Sequence, residues 1–278
     1  MATSSPSLKG KTALVTGSTG GIGEAFARAF AAEGCNVMMN GLGEPAAIEK
    51  LRATIETESA EHGVKIAYHG ADVGKPAEIE AMVRATETQL GPVDILVNNA
   101  VVRHYHKIED FPPEEWDRAV AVDLSAAFHA IRLTMRGMKQ RGWGRIINMS
   151  SIHGRMAVPN RVDYVTAKHA LIGMTRGVAL ECAETGVTIN ALMPGWVLTP
   201  HAEGQITRQM AATGDSREKA LHTLMSVRQP SQRPIMPSDI AAFGVFLCSG
   251  PGAHINGAAL PMDGAWQTGF MLTAGNST

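Results

Sequence analysis

The amino-acid sequence predicts an α/β protein: a doubly wound, largely parallel sheet with helices on both faces. Two observations carry this. Short apolar or β-branched runs alternate with longer amphipathic stretches from one end to the other, and such alternation gives right-handed crossovers and a layered sheet. Runs such as Ala13-Leu14-Val15 and Ile95-Leu96-Val97 are apolar at consecutive positions, as strands covered on both faces are.

In chain order, strands are expected at 12–16, 36–40, 65–69, 95–98, 145–149, 188–192 and 258–262. Helices are expected at 22–33, 45–61, 76–89, 113–141, 162–184 and 238–248. Three of these helices open on a proline, Pro45, Pro76 and Pro113, whose missing N–H costs nothing in a first turn. No Pro/Ser-rich linker, composition shift or repeat divides the chain, so one domain is expected over 1–278. The stretch 199–237 breaks the rhythm between the sixth strand and the last long helix. It is polar, helical in part and sits at a strand's carboxyl end, where a long insertion acts as a substrate lid.

Composition narrows the function. The 278 residues are 45% hydrophobic and 18% charged, with 25 Lys and Arg against 26 Asp and Glu, a formal charge of −1. That balance argues against a nucleic-acid binder and against a polybasic membrane-surface protein. Cys35, Cys182 and Cys248 are far apart and show no metal-ligand spacing, which fits reduced thiols and no metal site. Residues 1–10 have no signal-peptide core, and no apolar run approaches the ~20 residues that span a bilayer. A cytoplasmic protein is expected.

Thr16-Gly17-Ser18-Thr19-Gly20-Gly21-Ile22-Gly23 follows the first strand and opens the first helix. Glycines here let the backbone turn sharply and approach a pyrophosphate, whose charge the helix N-terminus stabilises. The spacing is neither Gly-x-Gly-x-x-Gly nor a P-loop, though the mechanics are shared. Gly17, Thr19, Gly21, Ile22 and Gly23 are therefore candidate nucleotide contacts. At the next strand ends, Leu42 sits where the adenosine ribose would lie, Asp72-Val73 offers an acceptor to an adenine amino group, and Asn98-Asn99-Ala100 can line a ribose, with Asn98 and Ala100 as candidates. Carboxyl ends of parallel strands share an edge, so these pieces point to one crevice. The second strand runs into Asn40-Gly41-Leu42-Gly43-Glu44, without Lys or Arg. A 2′-phosphate needs a cation there, so the expected cofactor is NAD.

The chemical residues come next. Ser151 ends the fifth strand, and Tyr164-Val165-Thr166-Ala167-Lys168 opens a helix thirteen residues on. Tyr164 and Lys168, four apart, share a helix face. A free phenol ionises at ~10 and is a poor base near neutrality; a neighbouring cation favours its charged form, which makes it a usable general acid/base. Ser151 can hydrogen-bond the substrate oxygen.

Together the glycine turn, Asn-Asn-Ala, Ser151 and Tyr164-x-x-x-Lys168 resemble the short-chain dehydrogenase/reductase family over almost the whole chain. The resemblance implies a Rossmann-type sheet of about seven parallel strands, a homotetramer, and nicotinamide-dependent oxidation of an alcohol. It implies that Lys168 also binds the nicotinamide ribose and that Pro194, Gly195, Val197 and Thr199 flank the carboxamide. The segments Ser151-Ile152-His153-Gly154, Pro194-Gly195-Trp196-Val197-Leu198-Thr199-Pro200 and Asp263-Gly264-Ala265-Trp266 are similar to one group within that family, the bacterial D-3-hydroxybutyrate dehydrogenases. There the matching positions surround a small hydroxy acid, which maps onto His153, Trp196, Gln205 and Trp266. Two indoles would exclude water while His153 and Gln205 donate to a carboxylate. Core packing or a subunit contact is the alternative for both tryptophans, and a structural role the alternative for His153.

Departures from that group are informative. Arg103 stands where Gln is usual and Arg161 where Lys is usual; both are substrate candidates. Arginine presents a rigid fork suited to a carboxylate, so if both face the pocket the substrate carries more charge or differs in length. Asp123 stands where the family has an Asn that supports a proton relay through its backbone, and Val101 replaces a common Gly. The leading expectation is NAD-dependent, reversible oxidation of a short 3-hydroxy acid such as 3-hydroxybutyrate. Open beside it are a reductase of another ketone or acyl thioester and a non-catalytic nucleotide-binding sensor.

Overall fold

Seven short apolar runs pair into a single parallel sheet: β1 (Thr12–Val15), β2 (Asn36–Asn40), β3 (Ile66–His69), β4 (Ile95–Asn98), β5 (Gly144–Met149), β6 (Val187–Pro194) and β7 (Ala259–Met262). Their order is β3-β2-β1-β4-β5-β6-β7, and every neighbouring pair is parallel. This computed structural model describes residues 8–269; residues 1–7 and 270–278, the ends of the domain expected over 1–278, lie outside the described residues. Strand order reverses between β1 and β4, which opens a crevice at their carboxyl ends.

The connecting helices are α1 (Gly21–Ala32), α2 (Pro45–Glu58), α3 (Pro76–Leu90), α4 (Pro113–Val120), α5 (Ala126–Arg141), α6 (Val162–Cys182), α7 (Pro200–Thr213), α8 (Arg217–Ser226) and α9 (Pro237–Cys248). They divide between two faces. On one, Phe26 and Phe30 of α1 and Ile240 and Leu247 of α9 cover Val15, Val37, Met39 and Ile147. On the other, Ile79 and Met82 of α3 with Ile131 and Met138 of α5 cover Leu14, Met38, Leu96 and Ile146. Every residue of β1, β4, β5 and β6 is buried, which is why those runs carry no polar alternation. All three cysteines are free and buried. Burial pushes the Cys35 thiol up to about 12 and raises Cys182 and Cys248 as well, so they are inert packing residues.

Element ends differ from the sequence expectation by a few residues at most, with one substantive correction. The long helix expected over 113–141 is interrupted: five residues, Ala121–Ser125, wind as a wider π-helical turn between α4 and α5. No Gly or Pro marks this spot, so periodicity alone reads straight through it; such insertions cluster at functional sites. The stretch 199–237 forms α7 and α8, whose Ala202, Ile206, Ala220, Leu224 and Met225 make a small apolar cluster with Trp196. Among the described residues no helix is long and apolar enough to cross a membrane.

The tightest helix contact is between α1 and α9, where Gly244 faces Phe26. A Cβ at Gly244 would sit 2.2 Å from a Phe26 ring carbon and 3.3 Å from Ile147 Cδ1, and Phe26 is fully buried and stacked on Phe30 at 5.8 Å. Gly244→Ala is expected to destabilise the fold by about 1–3 kcal/mol through overpacking, measured by urea denaturation. An unchanged midpoint would show that the helix pair has slack.

Candidate active site

The glycine turn between β1 and α1 is shaped by close backbone approach. Gly17 and Gly21 take φ of 63° and 58°, the left-handed region that glycine occupies freely. A Cβ on Gly17 would meet Ala100 Cα at 2.9 Å, and one on Gly23 would meet the Gly17 carbonyl oxygen at 2.2 Å. No side chain caps the start of α1, so its first-turn N–H groups and the positive end of its dipole are open to an anion. The β4 end closes the turn from beside: Asn99 Nδ2 donates to the Thr16 and Gly17 carbonyls, each at 3.0 Å, and Thr16 Oγ1 accepts from the Asn99 and Ala100 N–H groups. This donor-rich, side-chain-free cradle fits a dinucleotide pyrophosphate.

Other expected nucleotide residues are already engaged. Asp72 is paired with Arg118 at 2.8 Å and accepts from the Gly74 N–H; the Arg118 hydrogen bond, with that of Gly74, holds its carboxyl below the usual range. Asn98 donates to Asn148 Oδ1 at 2.8 Å, joining β4 to β5, and it is Asn99 that faces the cleft. Thr19 Oγ1 lies 3.4 Å from the Leu42 carbonyl, and Leu42 is exposed, while Val73 is buried under β3's end.

At the carboxyl ends of β4, β5 and β6 a cleft of about 290 Å³ opens. The Lys168 ammonium is buried, donates to the Met149 carbonyl at 2.8 Å and lies 5.3 Å from the Tyr164 ring centroid. Ser150 Oγ donates to the Lys168 carbonyl at 2.8 Å, so the end of β5 and the start of α6 are tied in both directions. Ser151 Oγ accepts from the His153 N–H at 3.2 Å, fixing the turn that presents it.

Side chains from several segments complete a ring around the cleft. His153 sits edge-on to Trp266 at 6.3 Å and to Tyr164 at 6.2 Å. The Arg161 guanidinium lies 4.0 Å over the Tyr164 ring and 4.8 Å over Tyr105. Tyr105 OH is 3.5 Å from His201 Nε2, which is 3.3 Å from Gln205 Nε2. Gln205 Oε1 accepts from Trp196 Nε1 at 2.9 Å, leaving its amide N–H groups directed elsewhere. Burial, then the Arg161 charge, pushes the His153 pKa down; burial, then Arg103 and Arg161, does the same to His201. Both imidazoles are therefore held toward the neutral form.

Behind Lys168, Asp123, Asn98 and Ala100 line a second cavity of about 10 Å³. Asp123 stands in the π-helical turn, nearly fully buried; its Oδ1 accepts from the Val102 N–H at 2.8 Å and its Oδ2 has no partner. Burial raises its pKa against the opposing pull of Lys168.

With this geometry in place, comparison with known proteins is decisive about descent. Residues 11–210 match the family described as short chain dehydrogenase. The chain belongs to that family. It is 48% identical over 259 residues to the D-beta-hydroxybutyrate dehydrogenase of Cupriavidus necator, covering 93% of this chain and 98% of that one. A protein of the same name from Rhizobium meliloti is 44% identical, with 92% and 98% covered. Among solved structures, the L-sorbose reductase of Gluconobacter frateurii, complexed with NADPH and L-sorbose, superposes with a TM-score of 0.88 at 28% identity, covering 94% of this chain and 98% of that one. Enzymes of this family are oxidoreductases that use nicotinamide cofactors.

The seven side chains expected around a substrate, Arg103, Ser151, His153, Arg161, Trp196, Gln205 and Trp266, all line the cleft, together with Tyr164, Lys168, Ile22, Pro194, Gly195, Val197 and Thr199. Asp123 does not; it stands behind Lys168. Lining residues outside the expected set include Asn99, Tyr105, His201 and Arg228. His201 was findable, being one helical turn before Gln205 and so on the same face. Tyr105 lies two residues after Arg103 in the irregular segment that follows β4. Arg228 carries no local signal, because only the return of the chain after α8 brings it in.

Asp123→Asn tests the buried carboxyl. A folded pKa raised above the unfolded value means stability that is full below the unfolded pKa and is lost as pH rises through the folded pKa. The melting temperature of Asp123→Asn minus that of the parent is therefore expected to grow as the pH is raised from acid to neutral. A flat or falling difference would contradict a raised Asp123.

Proposed function

We propose that this protein catalyses the reversible, NAD-dependent oxidation of a short 3-hydroxy acid, of the 3-hydroxybutyrate kind, to the 3-keto acid. One observation carries the reading: Ser151, Tyr164 and Lys168 converge at the dinucleotide edge of the sheet on a small cleft that is lined by arginines and tryptophans. The two D-beta-hydroxybutyrate dehydrogenases, similar over more than nine-tenths of the chain, support the same substrate class.

The substrate carboxylate is held by Arg161 with His153 and Gln205, all of which line the cleft, while Trp196 and Trp266 restrict water. Tyr164 and Ser151 take the hydroxyl between them. Tyr164 removes the hydroxyl proton, Ser151 donates to the developing carbonyl oxygen, and the Lys168 ammonium stabilises negative charge on the phenol oxygen. The bound nicotinamide supplies the hydride acceptor. The glycine turn with Gly17, Thr19, Gly21, Ile22 and Gly23 would hold its pyrophosphate, Leu42, Asp72, Val73 and Ala100 its adenosine side and riboses, with Asn98 bracing the end of β4 through Asn148, and Pro194, Gly195, Val197 and Thr199 its carboxamide. Asp123 supports Lys168 from behind.

The preference for NAD rests on residues 40–44 and on Ser18-Thr19, none of which is a cation. We assign the chain to one domain, with 199–237 as the lid over the substrate, in a cytoplasmic homotetramer.

Two measurements test this. Tyr164→Phe is expected to keep NAD affinity and lose about 10²–10⁴-fold in kcat with 3-hydroxybutyrate, the range that general acid/base groups contribute; undiminished turnover removes Tyr164 from the mechanism. Activity with NAD is expected to exceed that with NADP by about tenfold or more in kcat/KM, the difference of a single unpaired or repelled phosphate contact. Equal or faster turnover with NADP overturns the cofactor assignment.

A further inference from the structure

We propose that the preferred substrate is a dianion, a short hydroxy dicarboxylate whose first carboxylate is bound by Arg161 and whose second is bound by Arg103. This rests on the hydroxy-acid oxidation proposed above and specifies its substrate.

The argument starts from uncompensated charge. Arg103, Arg161, Arg228 and Lys168 all line the cleft, and among the described residues that line it there is no Asp or Glu. Lys168 is committed to the Met149 carbonyl and to the face of Tyr164, and Arg228 donates to the Leu224 carbonyl at 2.9 Å. Among the described residues the other two guanidinium groups, of Arg103 and Arg161, have no protein acceptor.

The Arg161 guanidinium carbon lies over two aromatic rings. Its contacts are the rings of Tyr164 and Tyr105, and ring stacking uses the plane of the guanidinium while its N–H donors point outward along the edge. Two of those edge nitrogens, Nε and Nη2, are buried and have no hydrogen-bond partner. That pair is one side of the donor fork that matches a carboxylate in two parallel bonds. A buried, unpaired guanidinium is costly, so an anion belongs on that edge.

Arg103 is exposed at the cleft; it makes no hydrogen bond or ion pair among the described residues, and its charge reaches His201 on α7 and the buried Asp123 behind the cleft. It enters from the segment after β4, whereas Arg161 enters from the start of α6. A monocarboxylate that satisfies the Arg161 edge leaves Arg103 unmatched. Burial first, and arginine charges after it, push His153 and His201 down, in keeping with cations that lack a counter-ion in the cleft. A carbinol carbon flanked by two carboxylate arms answers both arginines at once.

The test uses the purified enzyme with NAD and three probes: 3-hydroxybutyrate, malate (each as separate enantiomers) and 3-hydroxyglutarate, which is achiral and removes handedness from the comparison. A dicarboxylate is expected to show at least a tenfold higher kcat/KM than 3-hydroxybutyrate. Arg103→Gln is expected to reduce that ratio by about tenfold or more, mainly through KM, as loss of one charge-assisted contact does, and Arg103→Lys should recover part of it. A parent enzyme that favours 3-hydroxybutyrate, or a ratio unmoved by Arg103→Gln, overturns the proposal while leaving the oxidation reading intact. Oxidation of none of the three acids overturns both.

Discussion

The Lys168 ammonium, buried and bonded to the Met149 carbonyl at 2.8 Å, is the contact on which the site depends. An ammonium out of water needs a strong acceptor, and the last carbonyl of β5 provides it. That bond sets the height of α6 against the sheet, and the Ser150 hydroxyl reinforces it from the opposite direction. Ser151 follows at the next residue of the chain and Tyr164 stands one helical turn before Lys168, so one cation positions both partners of the chemistry. Helix and strand then need no further adjustment to bring hydroxyl, phenol and ammonium together at one edge.

Around that anchor, charge is distributed unevenly. The sheet and its two helical layers pair their ions at the periphery, as Arg118 with Asp72 and Arg141 with Asp94 do. The cleft has cations that line it without carboxylates among the described lining residues. Proteins rarely leave such an imbalance inside a partly buried pocket unless a ligand resolves it. Burial, and after it the arginine charges, favours in the nearby imidazoles the form that both donates and accepts a hydrogen bond.

Much of this was legible beforehand, for physical reasons that differ from place to place. Apolar runs at consecutive positions announced strands covered on both faces at β1 and β4, and all seven expected strands appear. The glycine turn was readable because its backbone excludes a Cβ at Gly17 and Gly23. Tyr164 and Lys168 were readable from helical spacing alone, and family membership from motifs in order. Illegible were features decided by distant packing. The π-helical turn at Ala121–Ser125 has ordinary helix-compatible residues, so nothing local marks it. The division of labour between Asn98 and Asn99 depends on which amide faces β5 and which faces the glycine turn. Arg228 reaches the cleft only through the path of the chain after α8.

Trp196 has a consequence for how two ligands communicate. Its backbone follows Pro194-Gly195, beside the glycine-turn side of the cleft, and its N–H is fixed by Gln229 at 3.1 Å. Its indole belongs to the apolar cluster of α7 and α8 and is bonded to Gln205. In the proposed reading one residue spans the walls that nucleotide and acid occupy, so occupancy of either wall biases the stretch that serves the other. Coupling of that kind is symmetric by thermodynamic necessity: whatever factor the nucleotide adds to the affinity for the acid, the acid returns to the nucleotide.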